Sequence, residues 1–167
     1  MLKLYNALTE TVDAFTPQGE TVTIYVCGIT PYDTTHLGHA FTYVVFDALI
    51  RYLEGTGKAV RYVQNVTDID DDILRKSKET GVEWRALGEQ ESAKFLSDLQ
   101  YLNVRMPDVY AKATKETAMM IEIIGDLLAK GYAYERNGSV YFRVASDAEF
   151  GKLSRYDYGT MLKIANE

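Results

Sequence analysis

Hydrophobic and polar residues alternate between strand-like and helix-like patterns in the first part of the chain. The β-branched run TVTIYV at residues 21–26 is bounded by turn residues and predicts a buried strand. From Leu37 to Leu53 apolar residues recur at helical spacing, which predicts an amphipathic helix ended by the glycines that follow. The run AVRYVQNV at residues 59–66 predicts a second strand. A strand, a crossover helix and a strand form a βαβ unit, so we expect the two strands to be parallel.

The remainder of the chain has mainly helical patterns. Helices are predicted over residues 71–80, 84–102 and 111–130. Asn137-Gly138 then lies between two runs of aromatic and β-branched residues, which is a strong signal for a hairpin. The fold class is therefore α/β, a partial Rossmann-like nucleotide-binding fold with an added helical and hairpin region.

Composition and charge narrow the class of protein. The chain has 167 residues, of which 47% are hydrophobic, enough to bury the core of one ordinary domain. Its net charge of -6 argues against wide, non-specific binding of nucleic acid by this surface. No stretch approaches the ~18 apolar residues of a membrane span, and the N-terminus lacks a signal-peptide pattern. We expect a cytoplasmic protein that does not bind membranes.

The unusual polar residues follow the predicted strands. Cys27, the only cysteine, ends the first strand, and the only histidines, His36 and His39, begin the crossover helix. A second group follows the second strand: Asn65, Thr67 and Asp68. The carboxyl ends of parallel strands share one rim, and a helix that starts there offers N–H groups and partial positive charge. The sequence therefore predicts a site for nucleotide phosphates at this rim.

Each candidate residue has a chemical reason and an alternative. The two histidines can donate hydrogen bonds to phosphate oxygens as negative charge develops, while Gly38 lets a flat purine approach the backbone. The alternative for His36 and His39 is half of a metal site, which the lack of further Cys or His disfavours. Cys27 is a buried thiol, a reactive thiol or a metal ligand, because a single cysteine forms no internal disulfide.

Two segments carry a family resemblance: YVCGITPYDTTHLGHA and VRYVQNVTDIDDDIL. They resemble the N-terminal catalytic half of the cysteinyl-tRNA synthetase family, of class I, which includes the cysteine:glucosaminyl-inositol ligase of mycothiol synthesis. The resemblance runs from about Leu2 to Met161. It implies that residues 1–103 are the N-terminal half of a class I catalytic nucleotide-binding domain and that residues 104–167 are a helical and hairpin connective region.

The resemblance also implies a reaction and its residues. It implies that ATP activates L-cysteine as cysteinyl adenylate and that cysteine then passes to tRNA. His36 and His39 are implied to be catalytic, and Cys27 to be one ligand of a zinc ion that binds the substrate sulfur. Zinc would separate cysteine from serine better than an apolar pocket does. The positions implied to bind nucleotide or amino acid are Gly28, Thr30, Tyr32, Asp33, Gly38, Asn65, Thr67 and Asp68.

Other sequence features keep alternatives open. CGITPYD, HLGH, GVEWRAL and YDYGTML are closer to the mycothiol branch, in which an amino sugar accepts the cysteine. The family's second ATP motif and its remaining zinc ligands would follow Glu167, so we expect half of a catalyst that retains no zinc. Beside the cysteine-activating ligase, two alternatives stay open: a fragment that binds ATP weakly and turns over slowly or not at all, and a catalytically silent binding module. The acceptor, the oligomeric state and the existence of a longer parent stay open.

Overall fold

The computed structural model describes residues 1–31 and 36–164. The chain forms two compact units, one of Pro17–Ala118 and one of Met1–Thr16 together with Met119–Glu167. In chain order the strands and helices are β1 (Lys3–Asn6), β2 (Thr11–Ala14), β3 (Thr21–Val26), α1 (Leu37–Gly55), β4 (Ala59–Val66), α2 (Asp71–Thr80), α3 (Trp84–Tyr101), β5 (Val109–Lys112), α4 (Ala113–Ala129), β6 (Ala133–Arg136), β7 (Ser139–Phe142) and α5 (Tyr158–Ile164).

The unit Pro17–Ala118 contains a parallel sheet in the order β3-β4-β5. Ile24 of β3 lies opposite Tyr62 of β4, and the pairing of these two strands is parallel. Both strands have the predicted bounds, and α1 crosses between them. The predicted βαβ unit and the α/β fold class are therefore confirmed.

The third strand, β5, corrects the predicted start of the last long helix. A helix was expected from residue 111, but Val109–Lys112 pairs in parallel with β4, and α4 begins only at Ala113. Val109 and Tyr110 favour a strand, but Ala111 and Lys112 are depleted in strands, so these four residues give no clear local signal. Pairing with β4 therefore decides the conformation of this segment.

The core of this unit lies where α1 and α3 pack on the sheet. The buried cluster consists of Val26, Tyr43, Ile50, Tyr62, Phe95, Leu99 and Val104. The rings of Tyr43 and Phe95 meet edge to face with centroids 5.2 Å apart, a favoured aromatic geometry. Burial raises the pKa of Tyr62 to about 12, because the tyrosinate is poorly solvated in this core. These contacts fix the start of α1 relative to the strand ends.

The helical face of α1 that is buried differs from the apolar stripe in the sequence. Tyr43, Ile50 and Leu53 are the buried residues of this helix. Leu37 and Phe41, which belong to the predicted apolar stripe, are 86% and 72% exposed. The amphipathic pattern thus located the helix correctly without identifying its packed face.

Helix α4 was predicted to have one apolar face, and its apolar residues are exposed. Met120, Ile121 and Ile124 all remain accessible, and α4 has no buried residue in the described part of the chain. Among residues 1–31 and 36–164, no helix is both long and apolar enough to span a membrane.

The other unit contains two antiparallel hairpins. The predicted hairpin at Asn137-Gly138 is confirmed as β6-β7. The φ angles of Asn137 and Gly138 are 54° and 79°, as a two-residue type I′ turn requires. The hairpin β1-β2 was not predicted. Arg155 pairs with Glu10 at 3.0 Å within this unit.

The predicted domain division at residue 103 stays a prediction.

Candidate functional site

Helix α1 begins with a reciprocal cap made by its two histidines. His36 is the N-cap residue, and its Nδ1 accepts a hydrogen bond from the Gly38 amide at 3.1 Å. The His36 amide in turn donates to Nδ1 of His39 over a longer 3.5 Å. The two rings stack with centroids 3.9 Å apart. Because each Nδ1 acts as an acceptor, the neutral imidazoles carry their hydrogen on Nε2.

This cap changes which groups are available to a ligand. The sequence suggested that backbone N–H groups at the helix start would bind phosphate. The amides of His36 and Gly38 instead point to imidazole nitrogens, and the His39 amide donates to the His36 carbonyl at 3.0 Å. The donors that the two histidine side chains leave for a phosphate are their Nε2–H groups, supported by the positive end of the helix dipole.

The close approach of the His36 ring explains the glycine at position 38, in addition to the expected approach of a purine to the backbone. A Cβ at this position would lie 2.9 Å from Cε1 and 3.0 Å from Nδ1 of His36. Such contacts are too close for carbon, so a side chain would push the imidazole off the first turn of α1. The glycine lets the His36 ring fold back over its own helix, whether or not a purine also approaches here.

Burial shifts the titration of His39. Desolvation lowers its pKa below the usual 6.5, and the nearby His36 lowers it further. The folded protein therefore resists protonation of His39 more than the unfolded chain does. The neutral, Nε2–H form is favoured at neutral pH.

We expect the free energy of unfolding to fall as the pH drops below about 6.5, since the unfolded chain then binds a proton that folded His39 resists. His39→Gln keeps a capping acceptor at the third helical position and removes this titration. Urea unfolding from pH 7.5 to 5 should show a weaker pH dependence in that variant. Identical profiles for both proteins would contradict the shift, and NMR titration of the imidazole gives its pKa directly.

The loop after β3 is held against the end of β4. Oδ1 of Asn65 accepts hydrogen bonds from the Gly28 amide at 2.6 Å and from the Tyr25 hydroxyl at 2.9 Å. The Thr67 amide donates to the carbonyl of Ile29 at 3.0 Å. Asn65, predicted to bind nucleotide, therefore has its side-chain oxygen occupied by the protein. It positions the loop that carries the other candidate residues.

The structure also places the remaining candidates. Cys27 is exposed, so the buried-thiol alternative is wrong, and its carbonyl accepts from the Tyr43 hydroxyl at 3.0 Å. Thr30 is half-buried in the same loop. Tyr32 and Asp33 lie outside the described residues.

Asp68 has a partner within the protein. It is buried, and its carboxylate accepts from both the amide and the hydroxyl of Thr114, at 2.9 and 2.6 Å. Thr114 lies in the first turn of α4, where a carboxylate also interacts favourably with the helix dipole. Asp68 thus anchors the start of α4 to the end of β4.

Comparison with known proteins decides the family. The family model of the class I (C) tRNA synthetase catalytic domain matches residues 14–167. The chain belongs to this family. The resemblance inferred from the two sequence segments is therefore confirmed.

Relatives of this synthetase domain include two kinds of ligase. The L-cysteine:1D-myo-inositol 2-amino-2-deoxy-alpha-D-glucopyranoside ligase of Kineococcus radiotolerans is 47% identical over 158 residues, or 90% of this chain and 38% of that protein. The cysteine–tRNA ligase of Pyrococcus furiosus is 47% identical over 156 residues, or 92% of this chain and 32% of that protein. The chain therefore spans well under half the length of either relative.

A solved structure supports the fold of the synthetase domain. Methionyl-tRNA synthetase of Mycobacterium tuberculosis, in complex with methionyl-adenylate, superposes with a TM-score of 0.63. The match covers 70% of this chain and 23% of that chain at 22% sequence identity. At this identity the likeness establishes the fold, a class I synthetase α/β domain.

The described side chains of the synthetase domain do not provide the set of ligands that zinc needs. The exposed Cys27 contributes one thiol. Residues 1–31 and 36–164 contain no group of three or more His, Cys, Asp and Glu side chains that could hold a metal ion. A tetrahedral zinc site needs three or four protein ligands, so Cys27 and its described neighbours do not fit zinc by themselves.

Sequence reasoning missed the side chains that position this site. Tyr25, Tyr43 and Thr114 each bond to a candidate residue or its backbone. None of the three has a local signal in the sequence, because each partner lies in another part of the fold: Asn65 in β4 for Tyr25, Cys27 after β3 for Tyr43, and Asp68 after β4 for Thr114.

Proposed function

We propose that this domain is part of a ligase that activates cysteine with ATP and transfers the cysteine to tRNA. The single observation that carries the proposal is the pair of stacked imidazoles at the start of α1, whose Nδ1 atoms accept backbone hydrogen bonds and whose Nε2 atoms are left for a ligand. Cysteine as the amino acid is supported by the names of both kinds of relative. ATP, cysteine and tRNA are therefore the proposed substrates.

The first step forms cysteinyl adenylate. A carboxylate oxygen of cysteine attacks the α-phosphorus of ATP, the bond from that phosphorus to the bridging oxygen of the β-phosphate breaks, and pyrophosphate leaves. Negative charge grows on the phosphoryl oxygens during this displacement. The Nε2–H groups of His36 and His39 can donate to these oxygens, and because the backbone cap already fixes both rings, little reorganisation is needed.

In the second step an acceptor attacks the cysteinyl carbonyl and AMP leaves. For tRNA the attacking group is a ribose hydroxyl, which gives an ester. The acidic net charge of -6 means that contacts with tRNA would have to be local rather than spread over this domain.

An amino sugar is the second candidate acceptor. Six relatives at 42–47% identity are L-cysteine:1D-myo-inositol 2-amino-2-deoxy-alpha-D-glucopyranoside ligases, and the motifs CGITPYD and HLGH favour that branch. The acceptor amine would attack the same carbonyl and form an amide. Both candidates share the adenylate step, so that step is the one to test on this chain.

His36 allows the nucleotide role to be separated from the capping role. His36→Asn removes the imidazole but keeps a good N-cap acceptor, whereas His36→Ala removes both. We expect both variants to lose the part of the rise in unfolding temperature that ATP with magnesium causes beyond that caused by AMP. Only His36→Ala should also lose intrinsic stability, by about 1 kcal/mol. Thermal unfolding with and without nucleotide measures both effects, and exchange of labelled pyrophosphate into ATP, with cysteine or serine, measures activation.

Each outcome selects one function. Exchange that requires cysteine and is lost in His36→Asn supports cysteine activation. A nucleotide response without cysteine-dependent exchange overturns activation by this chain and favours an ATP-binding module. A full nucleotide response in His36→Asn overturns the phosphate role of the imidazole.

A further inference from the structure

A hollow of about 400 Å³ lies beyond the carboxyl ends of β4 and β5. Its wall combines the start of α3, which contributes Trp84 and Arg85, with Lys112 at the end of β5 and Lys115 in α4. Pockets of 300–1,000 Å³ are typical of small-molecule sites in proteins. The hollow belongs entirely to the unit Pro17–Ala118.

Contacts of Asp68 with α3 and α4 position the residues that line this hollow. Asp68 is tied to Thr114 by two hydrogen bonds, which leaves the carboxylate satisfied from within the protein. Gly88 of α3 packs so closely that an added Cβ would lie 3.1 Å from the Asp68 carbonyl oxygen. α3 is therefore held close to the end of β4.

Its charge is opposite to that of the chain. Arg85, Lys112 and Lys115 face the hollow, although the whole chain has a net charge of -6. Lys112 and Lys115 have no ion-pair partner in the part of the chain that the structure describes. Two acidic residues, Asp68 and Glu89, also line it, so the three basic side chains exceed the acidic ones by one. An anionic group placed between the lysines would be attracted.

The wall at α3 offers a surface for a flat ring. The Arg85 guanidinium lies 4.3 Å from the centroid of the Trp84 ring, so an aromatic plane and a stacked cation stand together. Planar bases stack on such groups, and a phosphate on the same molecule would reach basic side chains across the hollow. Glu89 can accept hydrogen bonds from sugar hydroxyls.

We propose that this hollow binds a mononucleotide, with its phosphate between Lys112 and Lys115 and its base against Trp84. The site does not include the histidine cap of the proposed ATP site, because His36 lines a different hollow with Leu37, Ala40, Asp98, Tyr101 and Leu102. Asp68, which the family resemblance implies to bind nucleotide or amino acid, lies in the lining of the mononucleotide site but is bonded to Thr114. Binding at this site goes beyond the adenylation function and does not depend on it.

Trp84 is the only tryptophan of the chain, so its fluorescence reports on this hollow alone. The probes are AMP, inorganic phosphate and adenosine. AMP is expected to change the emission with saturation, and each of the other two should bind at least tenfold more weakly. The double variant Lys112→Gln and Lys115→Gln should weaken AMP binding at least tenfold. The matched control, Lys58→Gln with Lys78→Gln, makes the same charge change at two exposed lysines elsewhere and should not affect it.

His36→Asn distinguishes this site from the proposed ATP site. If the proposal holds, the tryptophan response to AMP is unchanged in that variant. Loss of the response in His36→Asn would show that AMP acts at α1 and would overturn the proposal. Equal affinity for inorganic phosphate and AMP would overturn the role of the base. An equal loss of AMP affinity in the control double variant would overturn the role of Lys112 and Lys115, because net charge alone would then explain the effect.

Discussion

Alanine at position 28 is expected to destabilise the protein by about 3 kcal/mol and to abolish its response to ATP. A Cβ at Gly28 would lie 1.7 Å from the carbonyl oxygen of Asn65, well inside van der Waals contact with backbone. Relief requires the β3 loop and the end of β4 to separate. That movement also breaks the 2.6 Å hydrogen bond from the Gly28 amide to Oδ1 of Asn65.

Urea unfolding of the Gly28→Ala variant, followed by circular dichroism, gives the loss in stability. Gly19→Ala is the matched control, because an added Cβ there meets nothing within 4 Å. The control should be as stable as the parent or slightly more so, since alanine restricts the unfolded chain. Equal stability of the two variants would mean that the strand-end loop tolerates separation from Asn65.

Replacing Phe95 with alanine is expected to cost about 3–5 kcal/mol, the range found for large aromatic side chains in cores. Phe95 is fully buried in the cluster between α1, α3 and the sheet and meets Tyr43 edge to face. The change removes a large apolar group and leaves a cavity beside the helix that carries the histidine cap. The nucleotide response should weaken along with stability.

Tyr101→Ala serves as the control for the Phe95 variant, because Tyr101 is the last residue of the same helix and is 91% exposed. We expect it to change stability by no more than about 0.5 kcal/mol. Phe95→Leu should restore part of the loss by filling some of the cavity. If Phe95→Ala and Tyr101→Ala unfold at the same urea concentration, the described core does not determine the stability of this unit.

The paired strands at residues 21–26 and 59–66 could be predicted to the residue because several local signals agree there. Each run is rich in β-branched residues, is bounded by turn residues and has some of its side chains buried in the core, so propensity and packing favour the same structure. The hairpin at Asn137-Gly138 was predictable for a similar reason, since its turn needs two residues with positive φ.

The contacts that build the site could not be read from local patterns. The bond between Gly28 and Asn65 joins residues 37 apart, and that between Asp68 and Thr114 joins residues 46 apart. β5 likewise depends on its neighbour strand. The histidine cap was missed for a different reason, because Ser, Thr, Asp and Asn are the usual N-cap residues and His36 was interpreted only as a ligand contact.

The two-histidine cap joins helix fraying to ligand recognition. The Gly38 amide is shielded from solvent exchange only while Nδ1 of His36 accepts its hydrogen, and that bond also fixes the direction of Nε2–H. Opening of the first turn and misorientation of the imidazole are therefore one conformational equilibrium. A phosphate that binds the oriented ring of His36 stabilises the state in which the first turn of α1 is closed. Its binding should therefore slow deuterium uptake at the Gly38 amide, which the phosphate does not contact.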